Sequence, residues 1–121
     1  MDARKPIIIV VEDDPQSAEA LRYVLADWGA QVVFGLTLEA VLDDLGPRRD
    51  AIAMIADFHL GGGRDGVALS QALRPHLPQA RVLVLSGSYY GRAAHAAEMA
   101  GYDLMHKPAA ASNIIAWVER G

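Results

Sequence analysis

Short apolar runs alternate with amphipathic stretches along the whole chain of 121 residues. Runs of four to eight apolar residues are typical of buried strands, whereas apolar residues spaced three and four apart indicate helices. The pattern predicts five strands, at residues 7–11, 31–34, 51–56, 81–85 and 102–105. The fifth run is the least apolar, and we assign it as a strand mainly from its place in the alternation.

Helices are predicted after each of these strands. Asp14 and Thr37 have short polar side chains placed to cap the first two helices, and Pro15 suits the first position of a helix. Pro75 should shorten the third helix, because proline cannot continue a helix interior. The apolar helical stripes fall at residues 18–28, 41–45, 67–73, 89–99 and 114–118. The fourth is mostly alanine, with Met99 as the only long aliphatic side chain of its face.

Strands that alternate with helices indicate an α/β fold with a parallel sheet covered on both faces. We predict one domain over residues 1–121, a doubly wound, flavodoxin-like sheet of five strands in the order 2-1-3-4-5. Ligands bind such sheets beyond the carboxyl ends of the strands, where the strand order reverses. In this order that point lies between the first and third strands.

Composition excludes several classes of function. A net charge of −4 with scattered Lys and Arg argues against direct nucleic-acid binding, which usually needs a basic patch. The chain has no cysteine, which excludes disulfides and thiolate metal sites and suits a reducing cytoplasm. Its apolar runs are too short to span a membrane. We therefore expect a cytoplasmic protein without a membrane segment.

Acidic residues crowd the predicted carboxyl edge of the sheet. Glu12 and Asp13 follow the first strand directly, and Asp57 ends the third, so the three should converge. The repulsion among three neighbouring carboxylates requires a counter-ion, and oxygen ligands favour a hard divalent cation such as Mg²⁺. Ser86 and Lys107 follow the fourth and fifth strands and could bind a phosphoryl group. Together these groups could form an aspartyl phosphate.

Four motifs in this order resemble the receiver domains of bacterial two-component response regulators. They are "VVEDDP", "IADFHL" with "RDG" downstream, "VLSGS" and "AGYDLMHKP", and the resemblance covers essentially the whole chain. "LSGSY" and "HKP" look most like receiver domains attached to hybrid histidine kinases. Each motif is weak by itself, but all four fall at the predicted ends of the correct strands.

The resemblance implies a role for each residue of the cluster. Asp57 would accept the phosphoryl group from a histidine kinase or a histidine phosphotransfer protein, with Ser86 and Lys107 as the other catalytic residues. The output would be a change in protein–protein contacts or a phosphate relay, and the chain would act on itself rather than as an enzyme with an external product. The residues expected to hold Mg²⁺ are Glu12, Asp13, Asp57 and, through its backbone carbonyl, His59.

The sequence also departs from the family pattern. An aromatic residue usually stands three places before the lysine, and here that residue is Leu104. Gly87 replaces the usual alanine after the switch hydroxyl, Ala109 replaces an aromatic residue after "KP", and the "GGGRDG" loop is about one residue longer. Leu104 puts the usual pairing of hydroxyl and aromatic ring in doubt.

Two other functions remain open at this point. The chain could be a degenerate, receiver-like binding module that no longer uses phosphate, for which Leu104 is the best evidence. It could also be a small Mg²⁺-dependent phosphohydrolase, but such enzymes usually carry a second Asp two residues after the nucleophile, where this chain has His59. The phosphate stoichiometry would differ among the three functions.

Overall fold

Five parallel strands form one sheet in the order β2-β1-β3-β4-β5, with a helix after each strand, in a computed structural model that describes residues 4–87 and 91–121. The strands are β1 Ile7–Val11, β2 Gln31–Phe34, β3 Ala53–Asp57, β4 Arg81–Ser86 and β5 Asp103–His106. The helices are α1 Pro15–Trp28, α2 Leu38–Leu45, α3 Gly66–Leu73, α4 Arg92–Ala100 and α5 Ala111–Glu119. The predicted fold class and strand order are confirmed.

Local sequence signals set the helix boundaries as predicted. The Asp14 carboxylate accepts a hydrogen bond from the Ser17 N–H at 3.0 Å, and the Thr37 hydroxyl accepts one from the Ala40 N–H at 3.1 Å. Both side chains thus satisfy amide groups that have no partner inside the helix. Pro75 falls in a short 3-10 turn that replaces a continuation of α3.

Side-chain alternation along the strands divides the core into two layers. Even-numbered residues of β1, such as Ile8 and Val10, pack with buried residues of α1 and α5. Odd-numbered residues, such as Ile9 and Val11, pack on the side of α2, α3 and α4. Because successive side chains point to opposite faces, this parity continues to the residues just beyond each strand. The parity determines which helices each candidate site residue faces.

Several predicted boundaries are wrong by one or two residues. Strand β3 begins at Ala53 rather than at residue 51, and β4 continues to Ser86, whose carbonyl accepts the Lys107 N–H at 2.8 Å. Strand β5 is shifted by one residue because the Tyr102 N–H bonds to the Ala97 carbonyl at 2.9 Å and still belongs to the end of α4.

Helix α4 packs through very small side chains. Ala93 and Ala97 are its buried residues, whereas Met99 is 74% exposed. Our expectation that Met99 contributes to the apolar face of this helix is therefore wrong. The predicted start of α4 at residue 89 lies outside the described residues, and the helix ends at Ala100. In the described part of the chain, no helix is both long and apolar enough to cross a membrane.

Candidate functional site

The sheet register brings the acidic residues to one edge. Val11 of β1 pairs with Ala56 of β3, so Glu12 and Asp57 emerge side by side at the carboxyl ends of neighbouring strands. Asp57 in turn pairs with Leu85, which places Ser86 one residue further along β4. This is the point at which the strand order reverses, as the sequence predicted.

Strand parity sorts the site residues into two groups. Glu12, Asp57 and Lys107 continue the face that packs on α1 and α5, because they follow Val10, Ile55 and Met105 by two residues. Ser86 and Asp13 continue the opposite face, which α2, α3 and α4 cover. The site residues therefore lie at the carboxyl edge of the sheet, with side chains directed to both of its faces.

Lys107 supplies part of the counter-charge at this edge. Its Nζ lies 3.1 Å from Asp57 Oδ2 and 3.6 Å from Glu12 Oε2. The side chains of the two acids are only 8% and 2% exposed, respectively, whereas that of Lys107 is 35% exposed. Charges with so little solvent are stabilised only by close partners. The lysine is thus a structural counter-ion of both carboxylates.

Burial and the neighbouring charges shift the pKa values of Glu12 and Lys107. Burial raises the pKa of the Glu12 carboxyl above its ordinary value, against the hydrogen bond that it accepts from the Asp14 N–H, and the negative charge of Asp57 raises it further. Burial alone would lower the pKa of Lys107, but the hydrogen bond to Asp57 and the charges of Asp57 and Glu12 raise it. The site therefore favours a protonated Lys107 and makes ionisation of Glu12 less favourable than in water.

The three carboxylates form a cluster that fits a divalent cation. One oxygen each of Glu12, Asp13 and Asp57 can be chosen so that all lie within 4.8 Å of one another. Three carboxylates beside one ammonium group leave two net negative charges. A donor set made of oxygen alone suits Mg²⁺ or Ca²⁺ rather than a softer metal.

The loop between β3 and α3 contacts this cluster at Asp13. The Gly61 N–H donates a hydrogen bond to Asp13 Oδ2 at 2.8 Å. His59, which was expected to offer its carbonyl to the metal, pairs with Asp65 in an isolated antiparallel bridge, and its exposed ring lies edge-on to Phe58. The bond between Gly61 and Asp13 was not foreseen from the sequence.

Gly66 is a second residue that sequence reasoning did not single out by itself. It begins α3 against the end of β3, where a Cβ atom would overlap the Asp57 carbonyl oxygen and would lie 3.0 Å from Ala56 Cβ. Its N–H also bonds to the Phe58 carbonyl at 3.0 Å. The glycine of the "RDG" motif therefore lets α3 approach the backbone of Asp57.

The surroundings of Ser86 differ from those of the acidic residues. Ser86 is fully buried, and Gly87 after it has no atom within 4 Å of where a Cβ would be. Leu104 pairs with Val84 across β4 and β5 and packs, partly buried, on the α4 side of the core. An aliphatic side chain thus lies on β5 opposite Val84, two residues before Ser86, where the family usually has an aromatic ring.

The chain belongs to the response regulator receiver domain family, whose model matches residues 8–119. A response regulator from Burkholderia pseudomallei, crystallised with a phosphorylated aspartic acid, a calcium ion and citrate, is 28% identical with a TM-score of 0.77. The match covers 92% of this chain and 65% of that protein, so this chain spans less than two thirds of that relative.

Two further structures show the same fold. NtrX from Brucella abortus is 25% identical with a TM-score of 0.80, and the match covers 97% of this chain but only 27% of that one. A CheY-like receiver domain from Methanospirillum hungatei JF-1 is 17% identical with a TM-score of 0.81, over 97% of this chain and 93% of that one. At 17% identity the second supports the fold alone.

Proposed function

We propose that this receiver domain accepts a phosphoryl group on Asp57 from a phosphohistidine of a histidine kinase or a histidine phosphotransfer protein. The observation that carries the proposal is the position of Asp57, at the switch point of the sheet, with Glu12 and Asp13 beside it and Lys107 3.1 Å away. Asp57 as a whole residue is 7% exposed and lies at the carboxyl edge of the sheet.

The transfer consists of one displacement. An oxygen of Asp57 attacks phosphorus, the new P–O bond forms as the P–N bond to the donor imidazole breaks, and the electron pair stays on that nitrogen. Lys107 donates hydrogen bonds to the transferring oxygens, and the Ser86 hydroxyl binds the phosphoryl group once it is on Asp57. Attack of water on phosphorus later returns Asp57 and inorganic phosphate, so the chain changes only its own state.

Glu12, Asp13, Asp57 and the carbonyl of His59 would hold Mg²⁺, which when bound offsets the repulsion between phosphoryl oxygens and carboxylates. The donor set and its residual charge support this assignment, as does the calcium ion in the Burkholderia protein. Lys107 by itself neutralises one of three carboxylates, so a divalent cation completes the balance of charge.

A groove next to the site supports approach by a protein donor. It has a volume of about 640 Å³, lies between α1 and α5, and has Glu12 and Lys107 at one end. The rest of its lining is mostly apolar, including Leu21, Pro108 and Ile114. A partner that buries apolar side chains here would present its histidine to Asp57.

Leu104 favours a second candidate function, a binding module that no longer uses phosphate. Its aliphatic side chain lies opposite Val84 of β4 and packs on the core. The complete set of carboxylates with Lys107 supports the first proposal over this one, because a module without phosphate chemistry has no use for crowded, buried acids.

Intact-mass measurements after incubation with Mg²⁺ and acetyl phosphate separate these functions. We expect a gain of about one phosphoryl group per chain, no gain for Asp57→Asn, and an unchanged gain for Asp50→Asn, an exposed control at the opposite edge of the sheet. No gain in the wild type would favour the binding module. Repeated release of phosphate from an external ester would indicate a hydrolase.

A further inference from the structure

The tip of the loop between β3 and α3 consists of Gly61, Gly62 and Gly63. The Leu60 N–H bonds to the Arg64 carbonyl at 3.1 Å and closes the base of this tip. Gly62 and Gly63 have φ angles of +74° and +76°, which other residues rarely adopt. Three glycines have no side chains with which to fix their own position, so the tip depends on contacts that reach it from outside.

Arg64 makes one of these contacts. Its Nε donates to the Gly61 carbonyl at 3.1 Å, and its Nη1 donates to the Leu36 carbonyl at 3.2 Å. Leu36 lies between β2 and α2, and its side chain packs on the core. The guanidinium therefore ties the glycine tip to a segment that the core holds in place.

A second contact is made by Asp13, whose Oδ2 accepts a hydrogen bond from the Gly61 N–H at 2.8 Å. Both polar groups of Gly61 are thus engaged, the carbonyl by Arg64 and the N–H by Asp13. Asp13 itself is exposed, so burial does not restrict its side chain. The hydrogen bond from Gly61 can therefore set the orientation of this carboxylate beside Glu12 and Asp57.

We propose that Arg64 is a positioning residue for the metal site: it holds Gly61 so that the Gly61 N–H keeps the Asp13 carboxylate turned toward Glu12 and Asp57. The inference rests on the metal site of the proposed function. A ligand oriented in advance loses less freedom when a cation binds, and partners outside the ligand set commonly raise metal affinity in this way.

Because Arg64 is positively charged, the direction of the change in Mg²⁺ affinity on its removal tests the inference. A guanidinium near an acidic cluster repels a cation, so by charge alone its removal should strengthen Mg²⁺ binding. If Arg64 acts by positioning Gly61 and Asp13, its removal should weaken Mg²⁺ binding instead. The two effects have opposite directions, and measurement of the affinity of the apo protein for Mg²⁺ alone distinguishes them.

We would titrate the wild type, Arg64→Ala and Arg64→Lys with Mg²⁺ and follow the backbone amide shifts. We expect Arg64→Ala to raise the Kd about tenfold, at the lower end of the range for such outer partners. Arg64→Lys keeps the charge but lacks the planar guanidinium that reaches both carbonyls. It should therefore also bind Mg²⁺ more weakly than the wild type. Arg49→Ala is the matched control, since Arg49 bonds to the carbonyls of Gly46 and Arg48 at the other edge of the sheet and should bind like the wild type.

A Kd for Arg64→Ala that equals or falls below that of the wild type would overturn the inference, as would wild-type affinity in Arg64→Lys. If the wild type itself binds no Mg²⁺, the metal site of the proposed function fails instead, so the two failures are distinct. Hydrogen exchange of the Gly61 amide gives a second readout: it should be faster in Arg64→Ala than in the wild type, and an unchanged rate would contradict the inference.

Discussion

Lys107 Nζ lies 3.1 Å from Asp57 Oδ2 and bridges toward Glu12, so one ammonium group is shared by the two buried acids of the site. The lysine reaches them from the end of β5, two strands away from Asp57 across the sheet. The same charge that would assist an incoming phosphoryl group also opposes a metal cation. Two measurable properties should therefore respond to its loss in opposite directions.

Lys107→Met should bind Mg²⁺ several-fold more tightly than the wild type, because a competing positive charge is removed. Phosphate uptake from acetyl phosphate at saturating Mg²⁺ should slow about a hundredfold, as when one preorganised donor is lost from a catalytic site. Amide-shift titration and a time course of intact mass check the two parts. Equal loss of both properties would mean that the variant has only damaged the fold.

Glu12→Gln should stabilise the apo protein at neutral pH. The pKa of Glu12 is raised in the folded state, so the folded protein holds a proton that the unfolded chain releases near pH 4.5. The unfolding free energy contributed by Glu12 therefore falls as pH rises from about 4.5 through the folded pKa. We expect a Tm higher by a few degrees at pH 7 and a flatter pH profile, measured by thermal unfolding without metal. A lower Tm at pH 7 would contradict this account of the site.

Gly66→Ala should disturb the fold at the backbone of Asp57. The added methyl group would overlap the Asp57 carbonyl oxygen, and the start of α3 would have to move away from β3. We expect a loss of about 3 kcal/mol in denaturant unfolding, the upper part of the range for overpacking. Gly87→Ala is the control, because nothing lies within 4 Å of its Cβ position. Equal unfolding free energies for the two variants would show that the contact at Gly66 is not restrictive.

A phosphate mimic should act mainly through the end of β4 and through α4. Ser86 lies on the α4 side of the sheet, and α4 packs there by the small residues Ala93 and Ala97, which bury little area and oppose movement weakly. Leu104, by contrast, has no ring to reorient. With beryllofluoride and Mg²⁺ we expect the largest amide shift changes outside the metal site at residues 86–87 and 92–100. Larger changes in β5, centred on Leu104, would contradict this route.

Much of the fold and the placement of the acidic residues could be predicted because the signals are local. Ile7–Val11 is a continuous apolar run that Glu12 follows directly. Asp14 caps the next helix, which begins at the following residue, Pro15. Parallel pairing then brings Glu12 beside Asp57, since neighbouring parallel strands end at the same edge. The roles of these residues in phosphate chemistry stay predictions.

The features that were missed depend on contacts between distant parts of the chain. Arg64 reaches Leu36, and Asp13 reaches Gly61, through loop conformations that no hydrophobic period encodes. Met99 is exposed although it lies on the same helix as the buried Ala93 and Ala97, because which side of α4 meets the sheet depends on how the helix packs. The start of β5 was shifted because Tyr102 bonds back to α4, a tertiary feature.

Direct location of the acyl phosphate tests the central claim most directly. The chain would be incubated with acetyl phosphate and Mg²⁺, reduced with borohydride, which converts a phosphoaspartate to homoserine, and sequenced by tandem mass spectrometry. We predict homoserine at position 57 and at no other aspartate, and its absence when Mg²⁺ is replaced by a chelator. Homoserine at another acidic position, or an unmodified Asp57 in a chain that has taken up phosphate, would contradict the assignment.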